Sequence, residues 1–243
     1  MIQIISLLIT ALVGTGLGWA TSFYSGFCVT VGPEEDNRDR KEVFKTYKWS
    51  VKNDEAKIVP AVAVIGVLIN VCLTKGTALF YNSEQLIVFI SYLIAATCLA
   101  GVAYVDLKIF EIPPLYDIII AICGVARLLC DLEHWYVYAI GAVTVSGLFL
   151  IIALFSRGRA MGGGDIKLTA ALGLLIGWKQ ILLVMTVAAL LGAVIHGIVM
   201  AVTKKEHLLA FGPYLAVAGV ISMCVGDRVI DWYTRYIMHI IES

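Results

Sequence analysis

Charge is scarce in this chain: only 15% of its 243 residues are Asp, Glu, Lys or Arg, and 18 bases balance 18 acids. With no net positive charge to attract phosphates, nucleic acid is not an expected partner. The six cysteines are scattered, mostly within apolar segments, and no C-x-x-C pair occurs. That pattern excludes both a disulfide framework and a four-thiolate zinc site, and no metal centre is expected. Long polar segments are also missing. The single one, Val31 to Lys57, is too short to bury a core of its own.

What is present is apolar. Hydrophobic residues make up 60% of the chain, well above an ordinary soluble domain. The composition predicts an all-α polytopic membrane protein. A spanning helix needs about 20 apolar residues, and on that ruler about eight fit, near 3–22, 58–74, 84–105, 115–131, 136–155, 166–178, 180–202 and 208–225. The sixth is short, as expected of a helix that begins inside the bilayer or sits in a thinned patch. The N-terminal run lacks a basic n-region and reads as a retained first span rather than a signal peptide. Three regions follow: 1–57, a first span plus a charged loop; 58–225, the membrane domain; and 226–243, an amphipathic tail expected at the membrane surface.

Lysine and arginine set the orientation. With the loop after the first span in the cytoplasm, thirteen of the 18 fall on that side and four on the other, while Arg127 lies within a span. Trp135 and Trp178 would then sit in the outer headgroup belt. On this topology Asp106, at the end of the third span, and Asp165, at the start of the sixth, share the cytoplasmic level. A carboxylate near hydrocarbon costs several kcal/mol unless paired or solvated, so an acid at that depth is a functional suspect. Two such acids suggest a pair sharing a proton, the arrangement that hydrolyses an amide by acid and base catalysis without a metal. Gly162, Gly163 and Gly164, just before Asp165, would let an extended substrate approach the backbone closely.

These residues carry a family resemblance. "MGGGDIKLTAALGLLIGW" resembles the G-x-G-D motif of the type IV prepilin peptidases, and "DLKIFEIP" resembles their first-aspartate motif, with Pro113 seven residues after Asp106. "FGPYLAVAG", residues 211–219, resembles a third stretch common in that family. The resemblance covers about residues 95–220. It implies a bacterial inner-membrane aspartic endopeptidase with a cytoplasm-facing active site, which removes basic leaders from type IV pilin-like precursors. Asp106 and Asp165 would be the catalytic pair, the glycines, Lys167 and Pro113 would shape the substrate loop, and Phe211, Gly212, Pro213 and Asp117 would support the site. Proteolysis needs no cofactor. S-adenosylmethionine enters only if the chain also methylates its product.

Two departures bear on these expectations. The larger bifunctional members carry two C-x-x-C pairs in the loop after the first span, and residues 31–57 have none. Peptidase activity is therefore implied more strongly than methylation. Secondly, the acid or amide that often follows the motif's proline is Pro114 here. Simpler readings stand beside the sharp ones: Asp165 as a helix N-cap, Lys167 as a snorkelling interfacial base, Glu111 as a solvated rival acid, His196 as a core residue, and Arg127 with Asp131 as a local ion pair. Rival functions are a presenilin-like or preflagellin-type protease and, from another class, a proton-coupled transporter.

Overall fold

The computed structural model describes residues 2–31, 54–74, 83–158, 161–203 and 210–242. Among these there are eight α-helices and no strand: α1 (Ile2–Val31), α2 (Ile58–Thr74), α3 (Ser83–Ile109), α4 (Pro114–Cys130), α5 (Trp135–Phe155), α6 (Gly163–Ile176), α7 (Trp178–Thr203) and α8 (Gly212–Glu242). Short 3-10 turns, Asp54–Lys57 and Leu132–His134, lead into α2 and α5. Most of the charged loop lies outside the described residues.

Each expected span falls on one helix. Six helical stretches are long and apolar enough to cross a membrane, whereas α4 and α6 have only 17 and 14 residues. Fourteen residues rise about 21 Å, short of a hydrocarbon core of about 30 Å. Local chemistry fixes that length. Gly177, at φ 83°, is the C-cap, and its N–H closes the last turn on the Gly173 carbonyl at 2.9 Å. A left-handed residue at a helix end suits glycine because no Cβ meets the carbonyl. The first helix reaches Val31 rather than stopping near 22, and α8 continues from the membrane segment to Glu242 as one helix.

Apolar side chains cover the outside as well as the inside of the bundle. Leu12, Phe155 and Val202 are 75%, 89% and 77% exposed, the surface expected where lipid is the solvent. Polar side chains turn inward. The Asn70 amide on α2 donates to Ser6 Oγ at 3.0 Å and Thr10 Oγ1 at 2.7 Å on α1. Such bonds matter between membrane helices because burial from water no longer drives their association. Large residues such as Leu99, Ile120, Leu172 and Leu215 fill the centre.

The connections bring function to one end. Helix α3 ends, α4 begins, α6 begins and α8 begins at the same end of the bundle, because α4–α5 and α6–α7 turn around at the other. Trp135 and Trp178 begin helices at that far end. There Asp131 accepts from Tyr138 Oη at 3.1 Å and lies 2.9 Å from His134 Nδ1. The expected Arg127–Asp131 pair does not form. Asp131 is the C-cap of α4, with φ −132° and ψ 61°, so helical i,i+4 geometry is lost, and Arg127 lies over the Tyr138 ring instead.

Helices α5 and α6 make backbone contact where Gly141 faces Gly173. A Cβ on either would overlap the other's carbonyl group. Gly173→Val is expected to cost about 1–3 kcal/mol through overpacking, read as a lower unfolding midpoint in detergent. An unchanged midpoint would contradict this contact.

Candidate active site

The site is built from helix ends. Asp106 lies in the last turn of α3 and is 6% exposed. Its carboxylate Oδ2 accepts the backbone N–H of Gly212 at 2.8 Å. Gly212 opens α8, where main-chain donors have no partner within the helix and the dipole favours negative charge. Pro213 follows and brings no N–H. The next donors, on Tyr214 and Leu215, are taken by the Phe211 carbonyl. A side chain at 212 could not be tolerated, since its Cβ would meet Asp106 Oδ2 at 2.7 Å.

Asp165 is held in a related way. Gly162 is the N-cap of α6, so Asp165 is the third helical residue, and its Oδ2 folds back over Gly162, 3.1 Å from where a Cβ there would stand. An acid at this position reaching back to the N-cap amide is one half of a capping box. The reading of Asp165 as the N-cap of this helix is thus corrected: the cap is Gly162, and Asp165 stands inside the first turn. Between the two acids lies a cleft of about 330 Å³, lined by both carboxylates, and their charges interact.

The walls come from three places. Ile109, Phe110, Glu111, Ile112, Pro113 and Pro114 form the turn from α3 into α4. Its shape follows from sequence: Phe110 takes a left-handed φ of 56° and donates its N–H to the Asp106 carbonyl at 2.9 Å, and Pro113 caps α4, which Pro114 opens. Pro114 occupies the first helical position, where a missing N–H is harmless. The glycine loop and Lys167 form a second wall. Its three glycines are not equivalent. A Cβ on Gly164 would meet the Ile112 side chain at 2.9 Å, whereas Gly163 has open space above it.

The wall that the sequence reading missed is the end of α1: Tyr24, Phe27, Cys28 and Val31. Tyr116 ties this segment to the catalytic end, sharing a 2.6 Å hydrogen bond with Ser25 and meeting Tyr24 edge-on at 5.2 Å. Glu111, expected in solvent, is half-buried on the cleft wall. Asp117, one turn into α4, is buried and outside the lining. Phe211 packs edge-on against Phe149 at 6.0 Å. His196 is half-buried on α7. Among the described residues no three His, Cys, Asp or Glu side chains gather as a metal site.

A helical protein with segments apolar enough to span a membrane has two interacting acids and a glycine loop at one end, and part of it is similar to known proteins. Residues 93–197 match the type IV leader peptidase family. The chain is 37% identical to the prepilin leader peptidase/N-methyltransferase of Aeromonas salmonicida (strain A449) over 101 residues, 40% of this chain and 34% of that protein. A protein of the same name from Legionella pneumophila is 35% identical over 101 residues, covering 40% and 35%. That from Bacillus subtilis (strain 168) is 31% identical over 153 residues, covering 61% and 58%. The chain spans about a third of the length of the first of these curated relatives. No solved structure matches it.

Asp165 lies outside the six candidate spans, between Leu132–Phe155 and Trp178–Val202. Burial first, and then the Asp106 charge, push its carboxyl up to about 7, while the Gly162 N–H acts in the opposite direction. A raised value means that the proton is retained to higher pH. Infrared titration of the purified protein is expected to show a protonated carboxyl that persists to about neutral pH and disappears in Asp165→Asn, and Asp106→Asn should lower its midpoint. A midpoint near the ordinary value of about 4 would contradict the environment described.

Proposed function

We propose that this protein is an aspartic endopeptidase that uses Asp106 and Asp165 to remove the basic leader from type IV pilin-like precursors. The observation that carries the reading is the meeting of two acids, from helices far apart in sequence, on one cleft beside a glycine loop. The curated relatives share the name prepilin leader peptidase/N-methyltransferase.

The chemistry follows from the surroundings of each acid. Asp165, holding its proton to about pH 7, is suited to protonate the carbonyl oxygen of the scissile amide. Asp106 takes a proton from the attacking water, whose oxygen bonds to the carbonyl carbon. When the tetrahedral intermediate collapses, the C–N bond breaks, the amine leaves with the proton from Asp106, and Asp165 recovers its own. The Gly212 N–H keeps Asp106 in place throughout. The open backbone above Gly163 receives the extended segment around the scissile bond by main-chain hydrogen bonding, and the α1 residues close the far side.

In this reading eight segments cross the membrane, the sixth beginning after Asp165 and sitting in a thinned patch, and the cleft faces the cytoplasm of a bacterial inner membrane, as the lysine and arginine distribution implies. The leader is then cut at the interface while the apolar helix behind it stays in lipid. The relatives' names also include N-methyltransferase activity. Methyl transfer would draw on S-adenosylmethionine, and no step above uses it.

Asp106→Asn and Asp165→Asn should each reduce cleavage of a purified pilin precursor by at least about 100-fold, the scale of acid–base catalysis, without altering membrane insertion. Added chelator should change nothing. Mass spectrometry of the product's N-terminus reads the cut position and any methyl group together. Cleavage at the normal rate by either variant would remove the pair from the mechanism.

A further inference from the structure

The last turns of α1 present two neighbouring faces with different tasks. Tyr24, Phe27, Cys28 and Val31, spaced three and four apart, lie on one face and line the cleft. The adjoining face carries Thr21 and Ser25, both buried, and meets Tyr116 of α4. Tyr116 is 2% exposed. Its hydroxyl donates to the Thr21 carbonyl at 3.3 Å and shares the 2.6 Å bond with Ser25 Oγ. Its ring meets the Tyr24 ring edge-on at 5.2 Å, so the side chain that binds one face also touches the start of the other. Gly101 of α3 makes room for this contact. A Cβ there would stand 2.5 Å from the Tyr116 hydroxyl and 2.7 Å from Thr21 Cγ2. Phenylalanine would fill the same space; what the hydroxyl adds is a fixed register between α1 and α4.

We propose that Tyr116 is a positioning residue for substrate binding: it sets the end of α1 so that Tyr24, Phe27 and Val31 form an apolar subsite for a large apolar side chain at the start of the substrate's retained helix. The subsite follows from the two sides of the cleft. The acids, the glycine loop and Lys167 make one side polar, whereas the α1 face, with Ile109 and Ile112 of the turn, makes the other apolar. A precursor cut at the boundary between a basic leader and an apolar helix brings the same contrast to the site. Its first large apolar side chain is the group that the α1 face can take out of water. Tyr116 touches no substrate and acts only through Tyr24 and the turn from Thr21 to Ser25. Losing its hydroxyl therefore weakens binding, while the acids stay in place, since they stand on α3 and α6.

The subsite rests on the proposed proteolysis, whereas the placement of α1 does not, and the test has an arm for each. With a purified pilin precursor, Tyr116→Phe should raise KM by about 3–10-fold, the contribution of a hydrogen bond, and change kcat by less than about twofold. Ser25→Ala should raise KM in the same direction, and the double variant should add little, because both remove one bond. Truncating the precursor's first large apolar side chain after the cut to Ala should lower kcat/KM of the wild type by about 10-fold or more. Phe27→Ala should erase most of that difference. The second arm uses no substrate. Cys28, in the cleft lining, is labelled with N-ethylmaleimide and followed by mass spectrometry, and Tyr116→Phe should speed its labelling at least about threefold as the helix end is released. A merely structural tyrosine would lower the unfolding midpoint and move neither KM nor the labelling rate. An unchanged KM or an unchanged Cys28 rate in folded Tyr116→Phe overturns the proposal; if that variant does not fold, Ser25→Ala decides on the same readouts. A wild type that cleaves no precursor would refute the proposed function and the subsite together, and the Cys28 rate alone would then decide the positioning of α1.

Discussion

The site depends on a main-chain amide meeting a carboxylate. An acid at the edge of hydrocarbon must find a donor: Asp106 finds the N–H of Gly212 at the start of α8, and Asp165 folds back over the backbone of Gly162 at the start of α6. A bond to a charged acceptor contributes about 1.5–3 kcal/mol, more than most contacts of a single side chain. These amides come from the first turns of α8 and α6, so the positions of those helices fix the positions of the acids. The bundle is therefore arranged around the need to satisfy two carboxylates with donors that need no side chain of their own.

That constraint explains several local choices that otherwise look unrelated. Helix α3 must end one turn after Asp106 to leave its carboxylate at the bundle's edge. Phe110 accepts an uncommon backbone angle to end it, a cost of about 1–2 kcal/mol for a residue with a side chain. Pro113 and Pro114 then start α4 at once. Helix α6 must begin at the same level, yet Gly177 closes it after only 14 residues. Tyr116 performs the matching task for α1, pulling its last turns against α4 so that they complete the cleft.

Much of this was legible in the sequence, for physical reasons that differ from element to element. Apolar runs marked every helix because lipid demands them, and the shared depth of Asp106 and Asp165 followed from counting spans. Phe211–Gly212–Pro213 was visible as a helix start. That its amide would hold Asp106 was not, because the two stretches are more than one hundred residues apart and no local pattern records the contact. The end of α1 was missed because a ruler of about 20 residues stopped at 22. Yet Phe23, Tyr24, Phe27, Cys28 and Val31 continue the helical spacing, and following the period rather than the length would have carried the helix onward. The exposure of Glu111 was misjudged for the opposite reason. It was read as loop, and loops are taken to face water, whereas a turn locked by two prolines can fold its side chains over a cleft.

The glycine loop shows how one motif divides its labour. Read as a string, Gly162, Gly163 and Gly164 look interchangeable. In the structure Gly162 lies under the Asp165 carboxylate, Gly164 makes room for Ile112, and Gly163 alone has free space above it. Only the last is available to an incoming chain. The motif is therefore a connection between three different needs: a cap for an acid, a close approach between loop and turn, and an open stretch of backbone. Each has a different tolerance for a side chain. A methyl group at 164 would displace Ile112 and with it the turn that carries Asp106, whereas one at 163 would meet nothing until a peptide arrived. The acids are held by amides, the amides by helix starts, and the helix starts by these small residues, so the chemistry of the cleft reaches back to positions with no chemistry of their own.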